Sequence, residues 1–182
     1  HGIVSMDHSI EGVLHVGDKI IDFNGGRGYI EKDWGRSFPS AYVWMQSNHF
    51  STPGISVKAS VANIPWIRSS FVGFIAGVWL GDRLIRFTTY NGSALVKLAI
   101  SEKKLEMVLH SRKYIFELLA TRGEATILAS PIQGMMDGRI EESMTSILEV
   151  KITEKKSKLV ILHDNGRNAG LEVAGEINQI IC

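Results

Sequence analysis

The sequence predicts an all-β protein whose antiparallel strands close into a barrel. Apolar and polar residues alternate with a period of two along much of the chain, whereas helix signals are nearly absent. Dipeptides that favour tight turns separate the alternating segments. A meander of about nine to eleven strands has to close or fold over to remove its exposed edges, so a barrel is favoured over a sandwich. We expect one short helix at most.

The β-type segments follow one another along most of the chain. The clearest is 139–153, where Ile140, Met144 and Leu148 fall on one face and Glu141 falls on the other. Other segments rich in branched and aromatic residues are 55–63, 83–90, 104–110 and 113–119. The predicted turn dipeptides are Asn24-Gly25, Gly81-Asp82, Asn91-Gly92, Asp137-Gly138 and Asn165-Gly166.

Length and composition indicate one globular domain. A chain of 182 residues is long enough to bury a sizeable core. Apolar residues make up 45% and charged residues 21%, which is typical of a globular rather than a disordered protein. The formal net charge is +1 and the basic residues are scattered, unlike the pattern of a nucleic-acid-binding protein. We therefore expect a single domain over 1–182 and no nucleic-acid partner.

The chain carries no targeting signal that we can recognise. The longest uncharged apolar run, 71–80, is about half the length of a membrane-spanning helix and contains two glycines. Residues 1–12 lack the basic end and apolar block of a signal peptide, and the single cysteine, Cys182, excludes an intrachain disulfide. These features predict a cytoplasmic location. Because the first residue is histidine rather than methionine, we expect a fragment of a longer protein.

Motifs that would indicate a cofactor or a metal are incomplete. The segment 24–28, NGGRG, lacks the Lys-Ser/Thr ending of a phosphate-binding loop and precedes strand-like sequence. Glycines at the bends and bulges of a barrel explain it better. The six histidines show no HxH or HExxH spacing. The sequence therefore predicts no cofactor and no metal.

Charged and aromatic residues are interleaved between positions 28 and 50. In an extended strand, Tyr29, Glu31 and Asp33 share one face, and Trp34 lies on the other. Further along, one face carries two large aromatics and two amides, namely Tyr42, Trp44, Gln46 and Asn48. This mixture suits a barrel interior that holds a ligand with an apolar body and a polar head. Alternatively, these are amphipathic aromatics at the rim of a core, whose polar atoms are satisfied there.

The same region resembles a known family. The segment 25–50 reads GGRGYIEKDWGRSFPSAYVWMQSNHF. It resembles the hallmark of the tocopherol cyclase family, in which a Gly-Tyr-x-Glu-Lys-x-Trp-Gly-x-Ser-Phe-Pro core precedes Trp-x-Gln-x-Asn. The segments HGIVSMDHSIEG, at 1–12, and GRNAGLEVAG, at 166–175, are similar to the family's bacterial members. The resemblance spans essentially the whole chain.

This resemblance implies a lipocalin-like, calycin-type β-barrel, similar in architecture to carotenoid hydratases. Family members are longer at the N-terminus, which implies that this chain is a C-terminal domain and that the missing N-terminal domain is its partner. The plant enzymes of the family close a chromanol ring on a prenylated quinol, whereas the activity of bacterial relatives is inferred by similarity. The expected ligand is an apolar small molecule, a prenyl quinol or a lipid, with membrane contact only for substrate loading.

Chromanol closure begins with protonation of an alkene, a very weak base, so the acid has to be protonated near neutral pH. For Asp33, raising the pKa from about 3.9 to about 7 costs roughly 4 kcal/mol, which an apolar pocket and a second carboxylate such as Glu31 can supply. Either Trp34 or Trp44 would stabilise the cation, whereas Tyr29 and Tyr42 would line the pocket and Gln46 and Asn48 would orient the quinol. We predict Asp33 and Glu31 as catalytic residues.

A structural role for these acids remains open at the level of the sequence. A Glu31–Arg36 or Asp33–Arg27 ion pair would hold the acids ionised and unable to donate a proton. The acidic cluster that includes Glu142 is interpreted as solvated, and the stretch that includes Glu172 as packing against the first strands. The sequence leaves three functions open. They are acid-catalysed cyclisation or hydration by an intramolecular lyase or isomerase, lipocalin-type binding of a lipid or isoprenoid without chemistry, and a scaffold whose barrel is packed solid.

Overall fold

The computed structural model describes all 182 residues, and fourteen strands contain most of them. The strands are β1 (Gly2–Ile10), β2 (Val13–Val16), β3 (Lys19–Asp22), β4 (Gly26–Lys32), β5 (Ala41–Ser47), β6 (Ile55–Trp66), β7 (Ser69–Leu80), β8 (Leu84–Thr88), β9 (Ala94–Ile100), β10 (Lys104–His110), β11 (Tyr114–Thr121), β12 (Ala125–Ile132), β13 (Met135–Glu154) and β14 (Val160–Gly175). One 3-10 helix, Ile177–Gln179, follows them. No helical segment has the length and apolar character needed to cross a membrane.

Ten strands form one antiparallel sheet. Their order is β8-β7-β6-β5-β14-β13-β11-β10-β9, and β12 pairs with the first half of β13. The remaining strands form two small antiparallel sheets, β1–β4 and β2–β3. The large sheet confirms the predicted all-β antiparallel fold, and its ten strands fall within the expected range.

The sheet curls around a single apolar core. Its inner face carries a cluster of 26 buried apolar residues, to which all its strands except β12 contribute. Phe87 on β8 stacks on Phe116 on β11 with ring centroids 5.5 Å apart, although five strands separate β8 from β11 in the sheet order. In a flat sheet, strand spacing alone would place them roughly 29 Å apart. The sheet therefore wraps into a barrel-like shape.

The C-terminal segment covers the edge of the sheet at β9. The edge strands β8 and β9 are consecutive in the chain, but no hydrogen-bonded ladder joins them. Cys182 exchanges two backbone hydrogen bonds with Leu98 of β9, at 2.9 and 3.1 Å. Ile180 is buried in the core. This segment thus satisfies backbone groups that an open edge would leave exposed.

Two predicted turns are wrong. Asp137-Gly138 lies within β13 and Asn165-Gly166 lies within β14. At both positions, glycine allows a close approach rather than a reversal of the chain. A Cβ at Gly138 would collide with Ser130 of β12, and a Cβ at Gly166 would lie 2.7 Å from Cζ of Phe50. The other three predicted turns form where expected, and their glycines have positive φ.

The predicted alternation over 139–153 is correct only in its second half. Leu148 is buried in the core, as are the residues two and four positions later, whereas Met144 is exposed. The pairing of β13 with β14 shifts register between Ser143 and Ser146 and again before Leu148. Such bulges change which face of the strand a residue occupies. Met144 therefore lies outside the core although its spacing predicts otherwise.

A second layer, the β1–β4 sheet, lies over the outer face of β5, β6 and β7. The indole of Trp44 on β5 donates a hydrogen bond to Glu31 on β4. A Cβ at Gly77 on β7 would lie 3.7 Å from Cε of Met6 on β1. This layer covers part of the sheet face that points away from the core.

Candidate functional site

A polar and aromatic cluster lies between the β1–β4 layer and the large sheet. On β5, Val43 and Met45 point into the core, so Tyr42, Trp44 and Gln46 point to the opposite, outer face. Of the two sequence interpretations, the one that placed these residues in the barrel interior is wrong, because apolar side chains fill that face of β5. We call the covered outer region the outer-face site; it comprises His1, Tyr29, Glu31, Asp33, Tyr42, Trp44, Gln46, Lys58, Ser60 and Glu172.

Strand register aligns the site across three strands. Trp44 on β5 lies opposite Glu172 on β14 and opposite Ser60 on β6. Two residues further along β5, Gln46 lies opposite Lys58 on β6. Because side chains that are directly paired point to the same face, these residues form one continuous patch.

Glu31 contacts side chains of both layers. Its side chain is only 10% exposed. Glu31 Oε1 accepts a 2.8 Å hydrogen bond from the Trp44 indole and lies 3.4 Å from Nδ1 of His1, while Oε2 accepts one from the hydroxyl of Tyr29. Burial, followed by that hydrogen bond, raises the pKa of Tyr29 well above its ordinary value. Glu31 thus holds Trp44 and Tyr29 in fixed positions.

Asp33 lies at the margin of the site. Its side chain is 50% exposed, and Oδ1 accepts a 2.6 Å hydrogen bond from Nδ1 of His1. Neither ion pair suggested by the sequence forms. Arg27 is paired with Asp7 instead, and no salt bridge joins Arg36 to Glu31. No guanidinium group therefore forms an ion pair with Glu31 or Asp33.

The acid with the raised pKa is Glu172. It is partly buried, and burial is the largest cause of the increase. The negative charges of Glu142, which lies directly opposite on β13, and of Glu31 act in the same direction. The hydroxyl of Tyr42 donates a 2.7 Å hydrogen bond to Glu172, which opposes the increase and raises the pKa of Tyr42 itself.

Sequence reasoning missed Glu172. The residue lies between Leu171, a core residue, and Val173, which packs against the core. That pattern indicates the outer face of a strand, and solvent is the usual environment there. The cover provided by β4 and the pairing with Trp44 come from distant parts of the chain. An acid flanked by two core residues was the available signal, but it does not distinguish a covered face from a solvated one.

Lys58 is the most unusual residue of the site. Its side chain is 0% exposed, and burial lowers its pKa to about 8, although Glu31 and Asp33 oppose the decrease. Its ammonium group contacts Nε2 of His1 and donates a 2.7 Å hydrogen bond to Oγ of Ser60. Sequence reasoning singled out no lysine on β6, because alternation alone places Lys58 on a polar face.

Three other residues predicted to bind a ligand lie in different environments, namely Trp34, Asn48 and Gln46. Trp34 is 83% exposed and lies outside the cluster. Its ring makes a cation–π contact with the ammonium group of Lys32, which is 3.9 Å from the ring centroid. Asn48 donates a 3.1 Å hydrogen bond to the backbone carbonyl of Arg27 at the edge of the β1–β4 layer. The amide nitrogen of Gln46 is buried and has no hydrogen-bond partner.

One group of side chains has the composition of a metal site. The donor atoms of His1, Glu31 and Asp33 lie within 4.8 Å of one another. However, both ring nitrogens of His1 already have partners, since Nδ1 faces Asp33 and Nε2 faces Lys58. The donor set therefore fits an internal hydrogen-bond network better than a bound cation.

Comparison with known proteins shows the family of this chain. A family model described as tocopherol cyclase-like matches residues 1–175. The chain belongs to the tocopherol cyclase-like family. A curated protein from Zea mays, "Tocopherol cyclase, chloroplastic", is 26% identical over 166 residues, which are 85% of this chain and 34% of the maize protein. The chain thus spans about a third of the length of this relative, and no solved structure matches it.

The segment that carries the tocopherol cyclase-like resemblance contributes to both layers of the outer-face site. Positions 25–50 contain β4, the following loop and β5. Tyr29 and Glu31 therefore come from the covering layer, and Trp44 and Gln46 from the sheet beneath it. The GRNAGLEVAG segment lies in β14 and supplies Glu172. The two most specific parts of the sequence thus meet at one site.

Proposed function

We propose that this protein catalyses the acid-promoted cyclisation of a prenylated quinol at the outer-face site. The observation that carries the proposal is the partly buried carboxyl group of Glu172, whose pKa is raised and which lies opposite Trp44. Alkene protonation requires a carboxylic acid whose pKa is raised, and burial acts on Glu172 in that direction. Family membership and the similarity to a plant tocopherol cyclase support the substrate class.

The reaction balances with Glu172 alone as proton donor and acceptor. Glu172 transfers its proton to the less substituted alkene carbon, which breaks the O–H bond and leaves a tertiary cation. The indole face of Trp44 stabilises that cation by about 1–2 kcal/mol in a desolvated site. The phenolic oxygen then forms the C–O bond, and its proton returns to the Glu172 carboxylate. The product is an isomer of the substrate.

Glu31 positions the reacting groups in this proposal. Its carboxylate holds the Trp44 indole through a 2.8 Å hydrogen bond and binds the Tyr29 hydroxyl. Loss of this anchor would allow the indole to rotate away from the cation. The sequence predicts Asp33 and Glu31 as the catalytic acids instead, and substitution of each acid separates a positioning role from proton donation.

Substrate access requires movement of the β1–β4 layer. Hollows of about 320 and 450 Å³ lie elsewhere on the surface, one beside β2 and one over β10 and β11, and no residue of the outer-face site lines them. The contacts named between the β1–β4 layer and the sheet beneath are largely polar side-chain contacts, including those of Glu31 with Trp44 and of His1 with Lys58.

The second candidate is binding of an isoprenoid or lipid without chemistry. The amide nitrogen of Gln46 favours it, because a buried donor without a partner suits a bound ligand and requires no proton transfer. Both candidates use the same site. They differ in whether Glu172 exchanges its proton with the ligand.

Turnover of a prenylated hydroquinone, followed by mass spectrometry, tests the proposal. Cyclisation gives a product of unchanged mass, whereas hydration adds the mass of one water. We expect Glu172→Gln to abolish turnover and leave the affinity for substrate within about threefold, and Glu149→Gln, a change on an exposed strand face, to leave turnover unchanged. Turnover by Glu172→Gln at the wild-type rate would exclude this acid, and its loss in Asp33→Asn or Glu31→Gln alone would assign the role there.

A further inference from the structure

A pair of buried nitrogen groups occupies the part of the outer-face site that lies away from Glu172. Lys58, near the start of β6, is fully buried. Gln46 lies directly opposite on β5, so the two side chains emerge next to each other on the same face. The acid described above does not contact either residue.

Both groups retain hydrogen-bonding capacity. A lysine ammonium group has three donors, and Lys58 uses two of them on His1 and Ser60. The amide nitrogen of Gln46 is buried and uses none. Buried donors in folded proteins nearly always have acceptors, and the exceptions frequently mark binding positions. An oxygen atom from outside the chain would complete both groups.

The charges around the pair restrict the chemistry of that oxygen. Glu31 and Asp33 lie near enough to Lys58 to act on its protonation. These two negative charges exceed the single positive charge of Lys58, so a phosphate or a carboxylate would be repelled. A neutral or weakly acidic oxygen escapes this repulsion. Trp44, two residues from Gln46 on the same face, offers an aromatic surface beside it.

We propose that Lys58 and Gln46 form a subsite that binds the phenolic oxygen of an aromatic quinol headgroup. The choice of a quinol rests on the proposed function, whereas the presence of an oxygen subsite does not. Glu172 on β14 is two strands away from Lys58 on β6 and two residues away along the strand direction, a separation of roughly 12 Å. A headgroup held at Lys58 would therefore direct its prenyl substituent across Trp44 toward Glu172.

The two donors also suit the chemistry of ring closure. Hydrogen bonds from an ammonium group and an amide stabilise negative charge on a phenolic oxygen. A quinol has two oxygens, on opposite sides of its ring. Lys58 and Gln46 would bind the oxygen that does not capture the cation and so orient the ring. The nucleophilic oxygen would then lie on the side of Glu172, where its proton returns to the carboxylate.

Binding of small probes without a prenyl chain tests the subsite independently of turnover. The probes are hydroquinone, its dimethyl ether 1,4-dimethoxybenzene and benzoate, measured by calorimetry under anaerobic conditions. For the wild-type protein we expect hydroquinone to bind about tenfold more tightly than either of the other probes. Lys58→Met and Gln46→Leu should each remove most of that preference and leave the affinity for the ether unchanged.

Controls separate the subsite from folding and from the proposed function. Lys97→Met removes a half-exposed lysine and should leave every affinity unchanged. Glu172→Gln should lose turnover and keep the preference for hydroquinone. If Lys58→Met does not fold, as judged by circular dichroism, Gln46→Leu decides the question. Equal affinities of the wild-type protein for hydroquinone and its ether, tighter binding of benzoate, or an unchanged preference in Gln46→Leu would overturn the subsite.

Discussion

The hydroxyl of Tyr42 donates a 2.7 Å hydrogen bond to Oε2 of Glu172, and 130 residues separate the two in the chain. The contact joins β5 to β14 on the covered face of the sheet. Burial is the largest cause of the raised pKa of both groups. A partly buried acid with a raised pKa, beside a phenol and an indole, is thus a product of how the strands are paired.

The raised pKa of Glu172 predicts a pH-dependent contribution to stability. Because the folded-state pKa exceeds that of the unfolded chain, this contribution is fully present below the unfolded pKa and is lost as the pH rises through the folded pKa. The free energy of unfolding of the wild-type protein, relative to that of Glu172→Gln, should therefore fall with increasing pH above about 4.5. Urea denaturation between pH 4 and pH 8 measures the difference. An identical pH dependence in both proteins would contradict the burial of the charge.

The lowered pKa of Lys58 predicts the opposite trend at alkaline pH. Its folded-state pKa is about 8, below its ordinary value, so the unfolded chain binds more protons between these values and stability rises with pH. The gain in the free energy of unfolding between these two pKa values is of the order of 3 kcal/mol. The first part of this gain occurs between pH 8 and 10, where it can be measured. In Lys58→Met this rise should be absent. Denaturation above pH 10 is uninformative here, since ionisation of Tyr29 and Tyr42 in the unfolded chain then opposes folding.

Substitution of Gly170 should displace the indole of Trp44. A Cβ at Gly170 would lie 2.7 Å from Cζ3 of Trp44, whose Nε1 is held by Glu31. We expect Gly170→Ala to destabilise the protein by about 1–3 kcal/mol and to change the tryptophan fluorescence. Gly35→Ala is the matched control, because the nearest atom to a Cβ there is 3.7 Å away. Equal melting temperatures for the two variants would contradict the placement of Trp44.

The stacked pair in the core tests the wrapping of the sheet. Phe116 is fully buried against Phe87, which belongs to a strand distant in the sheet order. Phe116→Ala should lower the free energy of unfolding by about 3–5 kcal/mol. Tyr90→Ala, at an exposed turn, should change it by less than about 0.5 kcal/mol. Equal, small losses in both variants would show that β8 and β11 do not meet across the core.

Prediction from the sequence was accurate where local patterns decide the structure. Alternation identified β6, with Val57 and Ala59 in the core, and Asn91-Gly92 identified a tight turn. It failed at Met144, where a register shift in the pairing with β14 reverses the faces. Bulges depend on the partner strand, so the spacing of apolar residues within one strand does not reveal them.

The sequence identified only part of the outer-face site, because the rest of it depends on contacts between distant strands. The family segment pointed to Tyr29, Glu31, Trp44 and Gln46, and these residues meet in the structure. It also pointed to Trp34, which is exposed and makes a cation–π contact with Lys32. The linear sequence is sufficient to predict the strand-rich architecture, the family and, where no bulge intervenes, which residues share a strand face.

Contacts between distant strands determine which face is the interior and which acids are shielded from water. Two strands laid over the outside of the sheet bury Lys58 and shield Glu172 at positions where alternation predicts solvent. Such coverage arises from contacts between residues that are far apart in the chain. Hydration of a side chain depends on all of its spatial neighbours, and a linear pattern reports only those next to it in sequence.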